Sequence, residues 1–377
     1  MKKMSAILAL AALTLWPGLA ASAEENDAPK AFSGRVGVAG KYDSNVDLLS
    51  DKLPPDAEEE GPEPASIVEL TALLQYASLW NAPWHLEAEI FGLADFFPES
   101  VDDTLIFGRG GFSLGYDFGA NTLGVIEEAK HYTEPDDTEF DYVRDNATLY
   151  YKRVFGDLWQ ARAGYDNLIH AYPDSDYFNY AGHGGFAEIR NTWTPMVSTY
   201  YRYAYLHYTG RGEDGLAGLG SPESGDRHTG EAGIESFFAR KNTLIASYAY
   251  EADIASGAGV RQIGEIRGED ENLESDAEFD YRKHSGKLLY AHRFNDRFTL
   301  SFYDEIIGKT FPESDRGAGS LDRERRDLLF LTSVWISVRL VDELHAKARY
   351  LYRMNESNID VEDFQDHIGL LGLEYRF

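Results

Sequence analysis

The connections between short alternating stretches constrain this chain more than the stretches themselves. Segments of about 12 to 16 residues, rich in Tyr, Phe, Val, Leu and Thr, alternate with period two along the sequence. They fall near residues 32–43, 66–79, 84–96, 105–118, 121–132, 141–155, 158–172, 179–193, 196–209, 228–239, 242–256, 278–294, 297–310, 326–340, 343–355 and 363–377. Every second connection is tight: residues 80–83, Gly119-Ala120, Gly156-Asp157, Thr194-Pro195, Arg240-Lys241, Asn295-Asp296 and Val341-Asp342. The connections between them are longer and acidic, as at 44–65, 210–227, 257–277 and 311–325. A soluble sandwich has no reason to gather every tight turn at one end and every long loop at the other. A transmembrane barrel does. The pattern predicts an all-β, antiparallel, up-and-down transmembrane β-barrel over residues 32–377, with about 16 strands and 14 as the alternative count.

The strand faces agree. In the segment 343–355, Leu344, Ala346, Ala348, Tyr350 and Tyr352 share one face, and His345, Lys347, Arg349 and Arg353 share the other. Leu328, Phe330, Val334, Ile336 and Val338 likewise oppose Ser333, Ser337 and Arg339, and Arg162, Asp166 and His170 fall on a single face. In a closed barrel the polar face lines the lumen and the apolar face meets hydrocarbon. Candidate lumen-lining residues are therefore Arg162, Asp166, His170, Lys347, Arg349, Arg353 and Glu374. Trp80, Trp84, Trp159, Trp193, Phe294 and Phe298 flank the tight turns and predict one aromatic girdle. At the long-loop ends Phe96, Phe97, Tyr132, Tyr172, Tyr208, Tyr281 and Phe311 suggest a second.

Composition removes other classes. The chain has no cysteine, which excludes disulfide scaffolds, thiolate metal sites and cysteine nucleophiles. A formal charge of -29 argues against nucleic acid as a partner. Residues 1–23 read as a signal peptide: Lys2 and Lys3, then the apolar stretch Ala6 to Leu15, then Ala21-Ser22-Ala23 as the cleavage site. A short periplasmic segment, residues 24–31, precedes the first strand. We find no nucleophile elbow, zinc-binding helix or phosphate loop, so an enzyme is not expected. No resident cofactor is implied. The acidic clusters including Asp56, Glu58, Glu59, Glu60, Asp270 and Glu271 are candidates to hold Ca²⁺ or Mg²⁺, against the alternative of plain solvated charge.

The chain ends at Phe377, with Tyr375, Leu373 and Leu371 on the same face. This ending resembles that of Gram-negative outer-membrane β-barrels. The resemblance implies recognition of Leu371, Leu373, Tyr375 and Phe377 by the barrel-assembly machinery, and outer-membrane lipid and lipopolysaccharide as surroundings. The segment Gly40 to Val46 is similar to the opening of the barrel in surface lipoprotein assembly modifiers. Those proteins carry a periplasmic repeat domain ahead of the barrel, whereas here only residues 24–31 are expected between the cleavage site and the first strand. Its residues also suit an Asx-type turn closing the first strand. The sequence thus favours an outer-membrane channel for passive diffusion of small hydrophilic solutes, with a cation-leaning mouth because the loops are acidic. An assembly or secretion barrel for surface lipoproteins, and a structural or adhesive barrel with a plugged lumen, are the alternatives.

Overall fold

The computed structural model describes residues 32–45, 64–78, 83–98, 104–133, 141–173, 175–210, 224–238, 241–256, 281–311, 325–358 and 363–377. Its strands are β1 (Phe32–Asp43), β2 (Ala65–Ala77), β3 (Trp84–Phe96), β4 (Leu105–Phe118), β5 (Asn121–Thr133), β6 (Tyr142–Phe155), β7 (Trp159–Tyr172), β8 (Ser175–Thr194), β9 (Val197–Gly210), β10 (Ser224–Phe238), β11 (Asn242–Ser256), β12 (Arg282–Arg293), β13 (Phe298–Phe311), β14 (Arg325–Arg339), β15 (Leu344–Ser357) and β16 (Phe364–Arg376). Each pairs antiparallel with its sequence neighbours, and β1 pairs with β16, so the 16 strands close into a barrel. The segments read from the sequence match these strands within a few residues, and the higher strand count holds.

Closure explains how so long a sheet is tolerated. A sheet edge leaves a row of unpaired amides that neither hydrocarbon nor a neighbouring side chain can satisfy. Here β1 meets β16 in continuous register from Arg35↔Arg376 to Asp43↔Ile368. The chain end fastens the seam, because Gly34 and Phe377 exchange backbone hydrogen bonds of 3.0 and 2.9 Å. Gly34 is required there: a Cβ would lie 2.6 Å from Cζ of the Phe377 ring and 2.8 Å from the Leu73 carbonyl oxygen. Two tight turns use glycine for another reason, with φ of 68° at Gly119 and 60° at Gly156, a left-handed conformation costly for other residues.

The two faces of the wall differ as the alternation predicts. On one face large apolar side chains stand exposed, among them Leu371 at 70% and Ile90 at 51%. On the other, side chains reach across an intervening strand. Lys41 on β1 pairs with Asp95 on β3 at 2.9 Å, and Arg190 on β8 with Glu235 on β10 at 2.6 Å. Side chains converge in this way on the concave side of a cylinder, so the charged face is the inside. An apolar exterior around a polar interior is the inverse of a soluble protein and fits immersion in a bilayer.

Several of the aromatics expected at the tight-turn end can be placed on the wall. Trp84, Trp159, Trp193 and Phe294 are exposed on the outer face, Trp84 packs on Tyr116 at 4.8 Å, and Phe294 on Phe298 at 5.1 Å. Trp80 lies outside the described residues. The second girdle needs correction. Tyr132, Tyr172, Tyr208, Tyr281 and Phe311 are buried rather than exposed. The reason is parity: Tyr172 shares its face with Arg162 and Asp166, and Phe311 shares its face with Glu305 and Lys309, so they point inward. Phe96 keeps outward parity opposite exposed Val68, while the exterior tyrosines of the long-connection half are others, including Tyr42, Tyr205 and Tyr250.

Candidate functional site

The lumen is the site, and its walls carry distinct charge patterns set by which strands bring which inward positions together. Along β14, β15, β16 and β1, near the tight-turn end, Arg339, His345, Lys347, Arg349, Arg376 and Arg35 all take inward register positions. Glu374, 3% exposed, is the carboxylate among them. It accepts a hydrogen bond from Arg376 Nε at 2.7 Å, lies 3.6 Å from Arg35 Nη1, and contacts Lys347 Nζ. Arg349 Nε donates to Ser333 Oγ at 2.9 Å. Three cations on one buried carboxylate leave an excess of positive charge facing the lumen.

A second row crosses β6 to β10. Lys152, Arg162, Glu188, Arg202 and Glu231 stand directly opposite one another in consecutive strand pairs. Their signs alternate from Arg162 onward, which suits adjacent charges a few ångströms apart. Arg162 is also held by rings, its Cζ lying 4.2 Å from the Tyr150 centroid and 5.2 Å from that of Phe186, which Arg202 also approaches at 4.7 Å. Asp166 accepts a 2.5 Å hydrogen bond from Thr148. The wall of β2 to β5 is more acidic, with inward Glu69, Glu87, Glu89, Asp95, Asp117 and Glu128 against Arg109 and Lys130.

Toward the long-connection end the lumen changes character. Arg353 binds Asp366 through Nη2 at 2.6 Å and Nε at 2.7 Å and lies 3.6 Å from Asp43, all nearly inaccessible. Ser44 Oγ donates to Asp366 at 3.0 Å, and the Asn45 amide donates to Asp43 Oδ1 at 3.1 Å. Asp43 to Asn45 therefore form an Asx-type turn that ties β1 to β16. His170 is 1% exposed, with its ring 5.1, 5.0 and 5.2 Å from those of Tyr142, Tyr172 and Tyr180. Tyr132 and Tyr208 extend that stack sideways across β5 to β9. Arg227 and Tyr208 both bond buried Asp253, at 2.9 and 2.6 Å.

All seven residues expected in the lumen take inward register positions. Arg162, Asp166, Lys347 and Arg349 keep partial access to solvent, while His170, Arg353 and Glu374 are buried. Sequence reading missed the aromatic belt and the acidic wall. Their signal was available, since Tyr132, Tyr142, Tyr180 and Tyr208 share parity with charged residues of their own strands. Leu371, Leu373 and Tyr375 point outward opposite Gly40, Val38 and Val36. Asp56, Glu58, Glu59, Glu60, Asp270 and Glu271 lie outside the described residues.

No family model and no curated protein matches the chain. Solved structures do. The outer membrane channel DcaP of Acinetobacter baumannii superposes with a TM-score of 0.51 at 10% identity, covering 92% of this chain and 96% of that one. Pseudomonas aeruginosa OccK9 (OpdG) gives 0.49 at 12% identity over 92% and 98%. At such identity the likeness is one of fold: a single closed antiparallel barrel.

Proposed function

We propose that this chain is an outer-membrane channel through which small hydrophilic solutes diffuse passively. One observation carries the reading: a closed cylinder of 16 strands with charge inside and apolar side chains outside. Barrels of this strand number are wide enough for an aqueous path. The similarity of fold to the channel DcaP supports it. The exported precursor would lose residues 1–23, insert with the help of the barrel-assembly machinery acting on Leu371, Leu373, Tyr375 and Phe377, and sit among lipid and lipopolysaccharide. The net charge of -29 favours cations at the mouth. The clusters around Asp56 and Asp270 would hold divalent cations there.

A second reading is favoured by the burial of inward side chains at the long-connection end, Phe311, Tyr208 and Leu351 among them. A lumen filled at that level would make the barrel structural. Recording single channels of the refolded protein in a planar bilayer decides. Stepwise conductance, with reversal potentials favouring cations, supports the channel. A silent bilayer with inserted protein supports the plugged barrel, and anion preference overturns the charge reading.

A further inference from the structure

Outside the lumen, one arrangement recurs three times on the lipid-facing surface. Tyr203 and Tyr205 on β9, Tyr248 and Tyr250 on β11, and Tyr350 and Tyr352 on β15 each form a Tyr-x-Tyr pair with outward parity. The next strand brings a His-x-Gly pair against each: His228 and Gly230, His284 and Gly286, His367 and Gly369. Register repeats in detail. The second tyrosine stands opposite the histidine and the first opposite the glycine in every case.

Geometry repeats too. The first tyrosine's hydroxyl lies 2.7, 2.6 and 2.8 Å from Nδ1 of His228, His284 and His367. The second tyrosine's ring lies 5.1, 4.9 and 5.0 Å from the imidazole. A phenol donating to Nδ1 fixes the ring proton on Nε2. In that tautomer each imidazole offers one N–H donor at Nε2, and among the described residues Nε2 of each has no hydrogen-bond partner. Beneath it is room: a Cβ on Gly230, Gly286 or Gly369 would meet nothing within 4 Å.

A girdle of tyrosines alone needs neither an oriented donor nor a notch. The histidines stand third to fifth from the long-connection ends of β12, β16 and β10, the level of outer-leaflet headgroups in the bilayer reading, with the longer connections facing outward as in outer-membrane barrels. We propose that each cluster seats a phosphate-bearing headgroup of an outer-leaflet glycolipid, phosphate oxygen on Nε2 and the adjoining chain in the glycine notch. This rests on the outer-membrane reading above. Neighbouring charge ranks the sites. Two residues outward from His284 is exposed Arg282, from His367 is Gln365, and from His228 is Asp226, which already accepts from Tyr205 and His207 at 2.6 and 2.9 Å. The His284 site is therefore the tightest and the His228 site the weakest.

The test is native mass spectrometry of the full chain in detergent with bis-phosphorylated lipid A and with the same lipid stripped of phosphate. Bound phosphorylated lipid is expected, with affinity falling about tenfold for Arg282→Gln/His284→Gln, as for lost charge-assisted hydrogen bonds. The loss should be smaller for His367→Gln and smallest for His228→Gln. Gly286→Val, which fills the notch without touching a donor, should also weaken binding. Equal binding of the phosphate-free lipid, unchanged affinity in the double variant, or displacement by inorganic phosphate would overturn the proposal. Failure of the protein to insert into phosphatidylethanolamine–phosphatidylglycerol vesicles would instead overturn the outer-membrane reading beneath it.

Discussion

Two ion-pair clusters lie on the same seam of the barrel and differ in their water. Near the tight turns, Glu374 is surrounded by Arg35, Lys347 and Arg376, whose side chains are 29%, 30% and 44% exposed. Further along, Arg353 sits between Asp366 and Asp43 with side-chain exposures of 9%, 0% and 4%. The chemistry is the same and the surroundings are not. The first cluster is open to solvent, which can screen its charges. The second is sealed and holds β15, β16 and β1 together. The seam thus marks where lumenal water gives way to packed interior.

The comparison can be broken by substitution, and the sealed cluster should respond most. Arg353→Ala leaves two buried carboxylates without their cation and is expected to cost about 3–5 kcal/mol in urea unfolding from lipid vesicles. A loss under about 1 kcal/mol would show that the cluster is hydrated after all. On the other face of β16, Leu371→Arg is expected to cost about 2–4 kcal/mol in the same assay, the range for a charge near the bilayer midplane. Glu374→Gln removes charge-assisted hydrogen bonds worth about 1.5–3 kcal/mol. Its sharper readout is the reversal potential, which should move toward anions because the cations around it lose their counter-charge. Least affected should be Lys347→Ala, at about 0–1 kcal/mol, since its side chain is partly exposed and Glu374 keeps two other partners.

Much of this was legible in the sequence because a barrel wall is a local object. Parity along β15 alone separates Tyr350 from Arg349, and the spacing of tight turns orders every hairpin. What the sequence does not display is lateral register. The opposition of Arg162 to Glu188, or of Tyr250 to His284, depends on how far each strand slides past its neighbour. The misplaced girdle shows the same limit. Tyr208 and Phe311 lie at the correct end of their strands for an interface, but the end of a strand fixes depth and only parity fixes the face. The sealed cluster joins positions more than 300 residues apart, as in the contact of Ser44 with Asp366, which no local pattern reveals.

Water inside and lipid outside is the claim on which the rest depends, and the absence of native cysteine makes it directly measurable. Single cysteines at each position from 345 to 350, spin-labelled in vesicles, can be read for access to a water-soluble nickel chelate and to lipid-dissolved oxygen. Positions 345, 347 and 349 should favour the chelate and 346, 348 and 350 the oxygen, in strict alternation. Equal access at all positions, or the opposite phase, would contradict the account.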